Sequence, residues 1–171
     1  NAIQKLLIQQ KKSIAFIEGH GELEAIEVQD FSLTLLEQYD YDRVNLKENI
    51  NSLSSVIDGK GYRKNKYDLI IVAKPRVEFS DKDRFILDQF IMRGGKAIWL
   101  IDGVDADMDS LRATQQNIAL PTKLKLEEML FTYGARINKD LLLDKTCAPI
   151  MLNVGNFGDQ PQMKMFPWYF N

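Results

Sequence analysis

The chain holds one cysteine, Cys147, and one histidine, His20, among 171 residues. A single cysteine excludes an internal disulfide and leaves the redox compartment open. One cysteine with one histidine also excludes a zinc site of the usual Cys/His kind within one chain. An excess of positive charge is missing too: 22 Lys and Arg stand against 24 Asp and Glu, a formal net charge of −2. General binders of nucleic acid or of anionic membranes carry a basic excess, so neither class is expected. The short basic stretch Arg63-Lys64-Asn65-Lys66 reads as a solvated loop. No apolar run nears the ~18 residues of a membrane span, and no secretory leader is recognisable. There is no Gly-x4-Gly-Lys-Ser/Thr, so the chain does not bind ATP through a phosphate loop.

What is present suits an ordinary α/β domain: 45% hydrophobic and 27% charged residues, without an internal repeat or low-complexity tract. The most informative segment is Ser13-Ile14-Ala15-Phe16-Ile17-Glu18-Gly19-His20-Gly21-Glu22. A short apolar run stopped by Gly-x-Gly and followed by an acidic, amphipathic stretch reads as the first strand, loop and helix of an open α/β sheet. Ile3, Leu6 and Leu7 fit the end of a helix over 2–11, and the strand covers 13–18. Val28, Phe31, Leu35 and Leu36 mark a helix ending near Gln38, with Glu22, Glu24 and Glu27 at its start. Tyr41 to Leu46 reads as a second strand, and Leu53 to Ile57 as a helical turn broken at Asp58-Gly59.

The clearest buried strand is Asp68 to Ala73, continuously apolar and stopped by Pro75. Ser80 caps the next helix, with Asp83 three residues on as a weak capping box. Ile86, Leu87, Phe90 and Ile91 form its apolar stripe, and Gly94 ends it in a left-handed conformation. Lys96 to Ile101 reads as another buried strand ending at Asp102-Gly103. Leu126, Met129, Leu130 and Tyr133 predict a helix closed by Gly134, and Leu141–Leu143 and Ile150–Leu152 suggest late strands. The whole of 1–171 therefore reads as a single α/β domain with a mostly parallel sheet and helices on both faces. Both ends fall inside a pattern, so the expectation is a piece of a longer protein.

Candidate sites are few. Gly19-His20-Gly21 supplies two glycines of a dinucleotide fingerprint, but Glu24 stands at the third position and the acidic helix start opposes a pyrophosphate. A phosphoacceptor site would need a carboxylate where Lys74-Pro75-Arg76 stands. The loop from Asp102 to Asp109 resembles a calcium loop, yet Ser110 and Gln116 occupy the positions that require glycine and glutamate. Cys147 lacks the glycine-flanked turn of a nucleophile, and His20 reads as a histidine that hydrogen-bonds its own loop. No catalytic residue, cofactor site or metal site is assigned. What remains is a mouth at the strand ends, where Gly19, His20, Gly21 and Glu22 meet Lys74, Arg76, Asp102 and Gly103. Its two cations favour an anion or a partner's carboxylate, and Glu22 and Glu24 oppose one.

Three segments together carry a resemblance: Phe16-Ile17-Glu18-Gly19-His20-Gly21-Glu22-Leu23; Leu87 to Lys96 with Trp99-Leu100-Ile101-Asp102-Gly103-Val104; and Leu130 to Asn138 with Asp144 to Ile150. In this order they span essentially the whole chain, which resembles the GldG-like family of gliding-motility ABC-transporter auxiliary proteins. The resemblance implies a flavodoxin-like, three-layer fold related to the glutamine-amidotransferase-like superfamily but without its catalytic cysteine. It implies a non-catalytic domain of a membrane-anchored parent, on the periplasmic face of the inner membrane of a Bacteroidetes-type bacterium. Its partners would be ABC-transporter permease and ATPase subunits. The family offers no catalytic residues to carry over, so a small-molecule hydrolase or transferase using His20 in the strand-end cleft stays as the alternative.

Overall fold

The apolar run between Ser13 and Gly19 forms β1 (Ser13–Glu18), an inner strand of a four-stranded parallel sheet. The computed structural model describes residues 11–57, 61–106 and 118–169. By its contacts the chain divides into two units, Asn1–Asp102 with Thr122–Ile137, and Gly103–Pro121 with Asn138–Asn171.

In the first unit β1 leads to α1 (Gln29–Leu36) and β2 (Asp40–Asn45). Then come the short strands β3 (Ser54–Val56) and β4 (Arg63–Asn65), followed by β5 (Leu69–Ala73). The unit closes with α2 (Asp81–Met92), β6 (Lys96–Leu100) and, after the second unit's first segment, α3 (Glu127–Thr132). The sheet order is β2-β1-β5-β6, and all three pairings are parallel. The first and third apolar strands are thus neighbours, as the strand-end mouth requires, with Ile14 opposite Leu69 and Phe16 opposite Ile71.

Period-two alternation sorts the strand side chains onto two faces. Ala15, Ile17, Ile70 and Val72 join Phe79, Leu87, Phe90, Leu126 and Leu130 in the larger cluster, which carries α2 and α3. Ile14, Phe16, Ile71 and Ala73 form the smaller cluster, against which Val28 and Leu35 pack. Both faces of β1 and β5 are therefore covered, which explains their unbroken apolar sequences. Each fully buried Leu, Ile or Phe contributes about 1.5–3 kcal/mol of transfer free energy.

Two expectations change here. The strand at Lys96–Leu100 is not buried: it is the outer strand of the sheet, and its Ile98 and Leu100 are 41% and 52% exposed while Ala97 and Trp99 pack on the larger cluster. The helical turn expected over Leu53–Ile57 holds β3, paired antiparallel with β4, which takes in Arg63 to Asn65 of the basic stretch expected to be a loop. Leu53 and Ser54 are buried, the Ile57 N–H donates to the Tyr62 carbonyl at 2.8 Å, and the Arg63 guanidinium is held by Asn51 Oδ1 at 2.9 and 2.7 Å. Polar residues on a short hairpin leave no apolar alternation to read. The expected helix over 2–11 lies outside the described residues except for Lys11, and so does the break at Asp58-Gly59.

The only regular elements of the second unit among its described residues are strands. β7 (Val104–Asp105) pairs with β8 (Leu120–Pro121). β9 (Pro149–Phe157) and β10 (Gln160–Pro167) form an antiparallel hairpin whose residues are nearly all exposed. The late strand at Ile150–Leu152 lies inside β9, and no sequence signal marks β10. Leu141–Leu143 forms no strand beyond a single bridge at Leu143, and all three leucines are exposed. The calcium-like loop is described as far as Ala106, and Asp107 to Asp109 lie outside the described residues. Among the described residues no helix is long and apolar enough to cross a membrane.

The end of α2 shows how sequence dictates a turn. Gly94 takes φ +88, its N–H bonds the Ile91 carbonyl at 2.8 Å, and the next N–H, of Gly95, bonds the Phe90 carbonyl at 3.1 Å. Gly134 likewise follows α3 with φ +89. Gly95 is glycine for a different reason: a Cβ there would sit 2.3 Å from the Phe90 ring, which is fully buried. Gly94→Ala should cost on the order of 1 kcal/mol through backbone strain. Gly95→Ala should cost more, about 1–3 kcal/mol or above, because the ring has to move within a packed core. Urea denaturation of both variants checks this ranking; equal or reversed midpoints would refute the packing assigned to Gly95.

Candidate functional site

The carboxyl ends of β1 and β5 deliver two loops to the same place. After β5, Lys74 adopts φ +53, a costly conformation for a residue with a side chain, and Pro75 is buried. The Arg76 and Val77 N–H groups then both donate to the His20 carbonyl at 2.8 Å. The Leu23 N–H donates to the Ala73 carbonyl at 3.0 Å, and the Lys74 N–H to the Leu100 carbonyl at 2.8 Å. The glycines on either side of His20 thus let the first loop fold onto the second, as Gly19 φ +116 and Gly21 φ +70 show.

His20 itself turns inward and is 5% exposed. Its ring stacks on Phe79 with centroids 3.7 Å apart and planes 13° apart. Nδ1 lies 3.3 Å from Glu22 Oε1, and Nε2 lies 3.2 Å from Asp83 Oδ2. Glu22 also accepts the His20 backbone N–H through Oε2 at 2.6 Å. Both carboxylates are as buried as the ring, with side-chain exposures of 3% and 7%. A neutral imidazole would point one lone pair at a carboxylate, whereas an imidazolium donates to both. Burial alone pulls the His20 pKa down, but the hydrogen bond and charge of Glu22, and then those of Asp83, outweigh it and the value rises above 6.5.

Asp83 does more than cap a helix. Its backbone N–H donates to Ser80 Oγ at 3.1 Å, as the capping box predicts. Its carboxylate accepts the Ser80 hydroxyl at 3.1 Å and the Glu48 N–H at 2.9 Å besides facing His20. Glu48 and its neighbour Lys47 both have positive φ, 54° and 45°, so this contact holds a strained turn after β2. One carboxylate thereby ties together the loops that follow β1 and β2 and the start of α2.

Of the residues assigned to the mouth, Gly19, His20, Gly21, Glu22, Lys74 and Arg76 come together in the first unit. Asp102 joins them through an ion pair with Lys74, Nζ to Oδ2 at 3.3 Å. Gly103 belongs to the second unit. Arg76 is exposed. Beside the loop a shallow concavity of about 390 Å³ is lined by Glu18, Gly19, Gly21, Glu22, Glu24 and Arg43. Arg43 bonds the Glu18 carboxylate there and the Leu23 carbonyl at 2.8 Å. Sequence reasoning missed Asp83 and Arg43 as members of this cluster. A capping residue 63 positions from His20 gives no local sign of a buried charge partner.

The chemistry available is restricted. Both His20 ring nitrogens face carboxylates and the residue is 5% exposed, so neither nitrogen is open to an incoming group in this arrangement. A family model described as ABC-type uncharacterized transport system matches residues 11–171. No curated protein and no solved structure matches the chain.

The raised pKa has a definite sign in stability. A group that binds its proton more tightly when folded stabilises the fold fully below its unfolded value, near 6.5, and that contribution drains as pH rises through the higher folded value. The unfolding free energy of the wild type should therefore fall as pH rises above about 6.5, and His20→Gln should lack this fall. At pH 6 the same variant should cost about 3–5 kcal/mol, since two buried carboxylates lose their cation. Denaturant curves across this pH range give both quantities; parallel wild-type and variant profiles would refute the imidazolium.

Proposed function

We propose, from the premise that the chain belongs to the auxiliary family of ABC-type uncharacterized transport systems, that it is a non-catalytic binding domain. It belongs to a GldG-like subunit held at the periplasmic face of the inner membrane by a membrane-anchored parent. Permease and ATPase subunits are its partners, and ATP hydrolysis resides in the latter, since the sequence here offers no phosphate loop. The parallel order β2-β1-β5-β6 with helices packed on both faces supports a flavodoxin-like, three-layer reading of the first unit. A gliding role and a Bacteroidetes-type source rest on the motif resemblance alone.

The observation that carries the non-catalytic reading is the His20 clamp. The competing hydrolase or transferase needs His20 as acid or base, and both of its ring nitrogens face buried carboxylates. Binding at the mouth falls instead to the exposed Arg76, to Lys74 and to the loop glycines. Lys74 is partly neutralised by Asp102, which favours weak association with a partner's carboxylate over a tight small-molecule site.

Purification of the full-length parent from its native membrane should bring permease and ATPase subunits with it. Their absence beside a tightly bound small molecule would favour the hydrolase or transferase. Lys74→Ala with Arg76→Ala should weaken that co-purification while costing about 0–1 kcal/mol of stability, the usual worth of an exposed ion pair. A double variant that unfolds, or that keeps its partners in full, would remove the mouth from the interface.

A further inference from the structure

At the other edge of the sheet, where the strands begin, the first unit has a larger concavity, about 1010 Å³. Its wall gathers seven cations. Lys11 and Lys12 precede β1, Arg63, Lys64 and Lys66 lie on and just after β4, and Arg93 and Lys96 flank the turn between α2 and β6. Among the described residues only two carboxylates, Asp40 and Asp68, line the same space. Asp68 is turned to the Ser13 N–H, 2.9 Å from its Oδ2.

Five other cations of the first unit behave differently. Arg43, Lys74, Lys82, Arg84 and Lys125 each form an ion pair with a carboxylate. None of the seven does so among the described residues. Lys11 bonds the Leu36 carbonyl at 3.1 Å, Lys66 the Asn51 carbonyl, Arg63 the Asn51 side chain, and Arg93 Gln89 Oε1 at 3.5 Å, all neutral acceptors. Lys12, Lys64 and Lys96 are exposed and have no side-chain bond among the described residues. The carboxyl ends of α1 and α2 face the basin and offset about half a charge each. They leave most of the positive excess unmet, in a chain whose net charge is −2.

We infer that this basin docks an acidic, partly apolar peptide segment of a partner protein. A concave wall admits a chain segment and not the flat surface of a bilayer. Five of the seven cations are lysines, point charges that attract without the fork geometry of a phosphate site. Helix carboxyl ends also offer no free N–H groups to phosphate. Tyr39 and Ile57 supply apolar wall between the charges, and Ile57 is 47% exposed. The inference does not rest on the transporter reading, because the charge and shape belong to this chain whoever the partner is.

Fluorescence anisotropy of the full chain with a labelled peptide of mixed Glu and Leu tests it, beside a companion peptide with Gln in place of each Glu. The Glu peptide should bind and the Gln peptide should bind at least tenfold more weakly. The association rate for the Glu peptide should fall about tenfold or more between low and physiological salt. Lys12→Glu with Lys64→Glu and Lys96→Glu should abolish binding, whereas the same reversals at the exposed Lys123, Lys145 and Lys164 should leave most of it. Equal affinity for the two peptides, salt-independent binding, or equal loss in both triple variants would overturn the proposal. So would binding to phosphatidylglycerol vesicles without binding to the Glu peptide. The peptide comparison and the salt series use the wild type, so they decide the matter even where a variant fails to fold.

Discussion

A buried histidine held between two buried carboxylates organises the carboxyl edge of the sheet. Taking three such polar groups out of water is expensive, and only mutual hydrogen bonding recovers that cost. His20, Glu22 and Asp83 meet the requirement by committing both ring nitrogens and most of the carboxylate lone pairs to one another and to nearby backbone. The loops after β1, β2 and β5 and the start of α2 are fixed relative to one another as a result. Stacking of the ring on Phe79 joins this polar knot to the larger apolar cluster beneath it.

The same arrangement separates two uses of charge in one small unit. At the carboxyl edge basic side chains meet carboxylates: His20 meets Glu22 and Asp83, Lys74 meets Asp102 and Arg43 meets Glu18, while Arg76 stays exposed. At the amino edge they are gathered and left with neutral acceptors. Paired charge at the first edge gives a fixed conformation, and unpaired charge at the second gives a long-range field that favours encounter with an acidic partner. An accessory subunit of a transport system needs surfaces more than it needs a reaction centre, and the two edges fit that need.

Much of the first unit can be read from the sequence because its signals are local. The Ser13–Glu18 strand is bounded by a polar residue and a glycine, Ser80 caps α2, and Gly94 ends it. The neighbouring of β1 and β5 agrees with parallel connectivity. The features hidden from the sequence depend on pairing across distance. β3 and β4 hold together by backbone bonds between polar residues, so no apolar period announces them. β6 has the composition of a buried strand and lies at an edge, because the burial of an outer strand is set by whichever element packs beside it in space. The role of His20 in fixing its loop is legible, but its second carboxylate partner is not, since Asp83 gives only the signature of a helix cap. The basic basin is equally hidden, because its seven cations come from three separate segments, only one of which forms a visible basic run.

His20 is the chain's only histidine, so its imidazole resonances in a proton–nitrogen NMR spectrum identify themselves. A pH titration of those resonances in the folded chain is the most direct test of the clamp. The account predicts a midpoint above 6.5, with both ring nitrogens protonated below it. A midpoint at or below that value, or a single protonated nitrogen at pH 6, would contradict it.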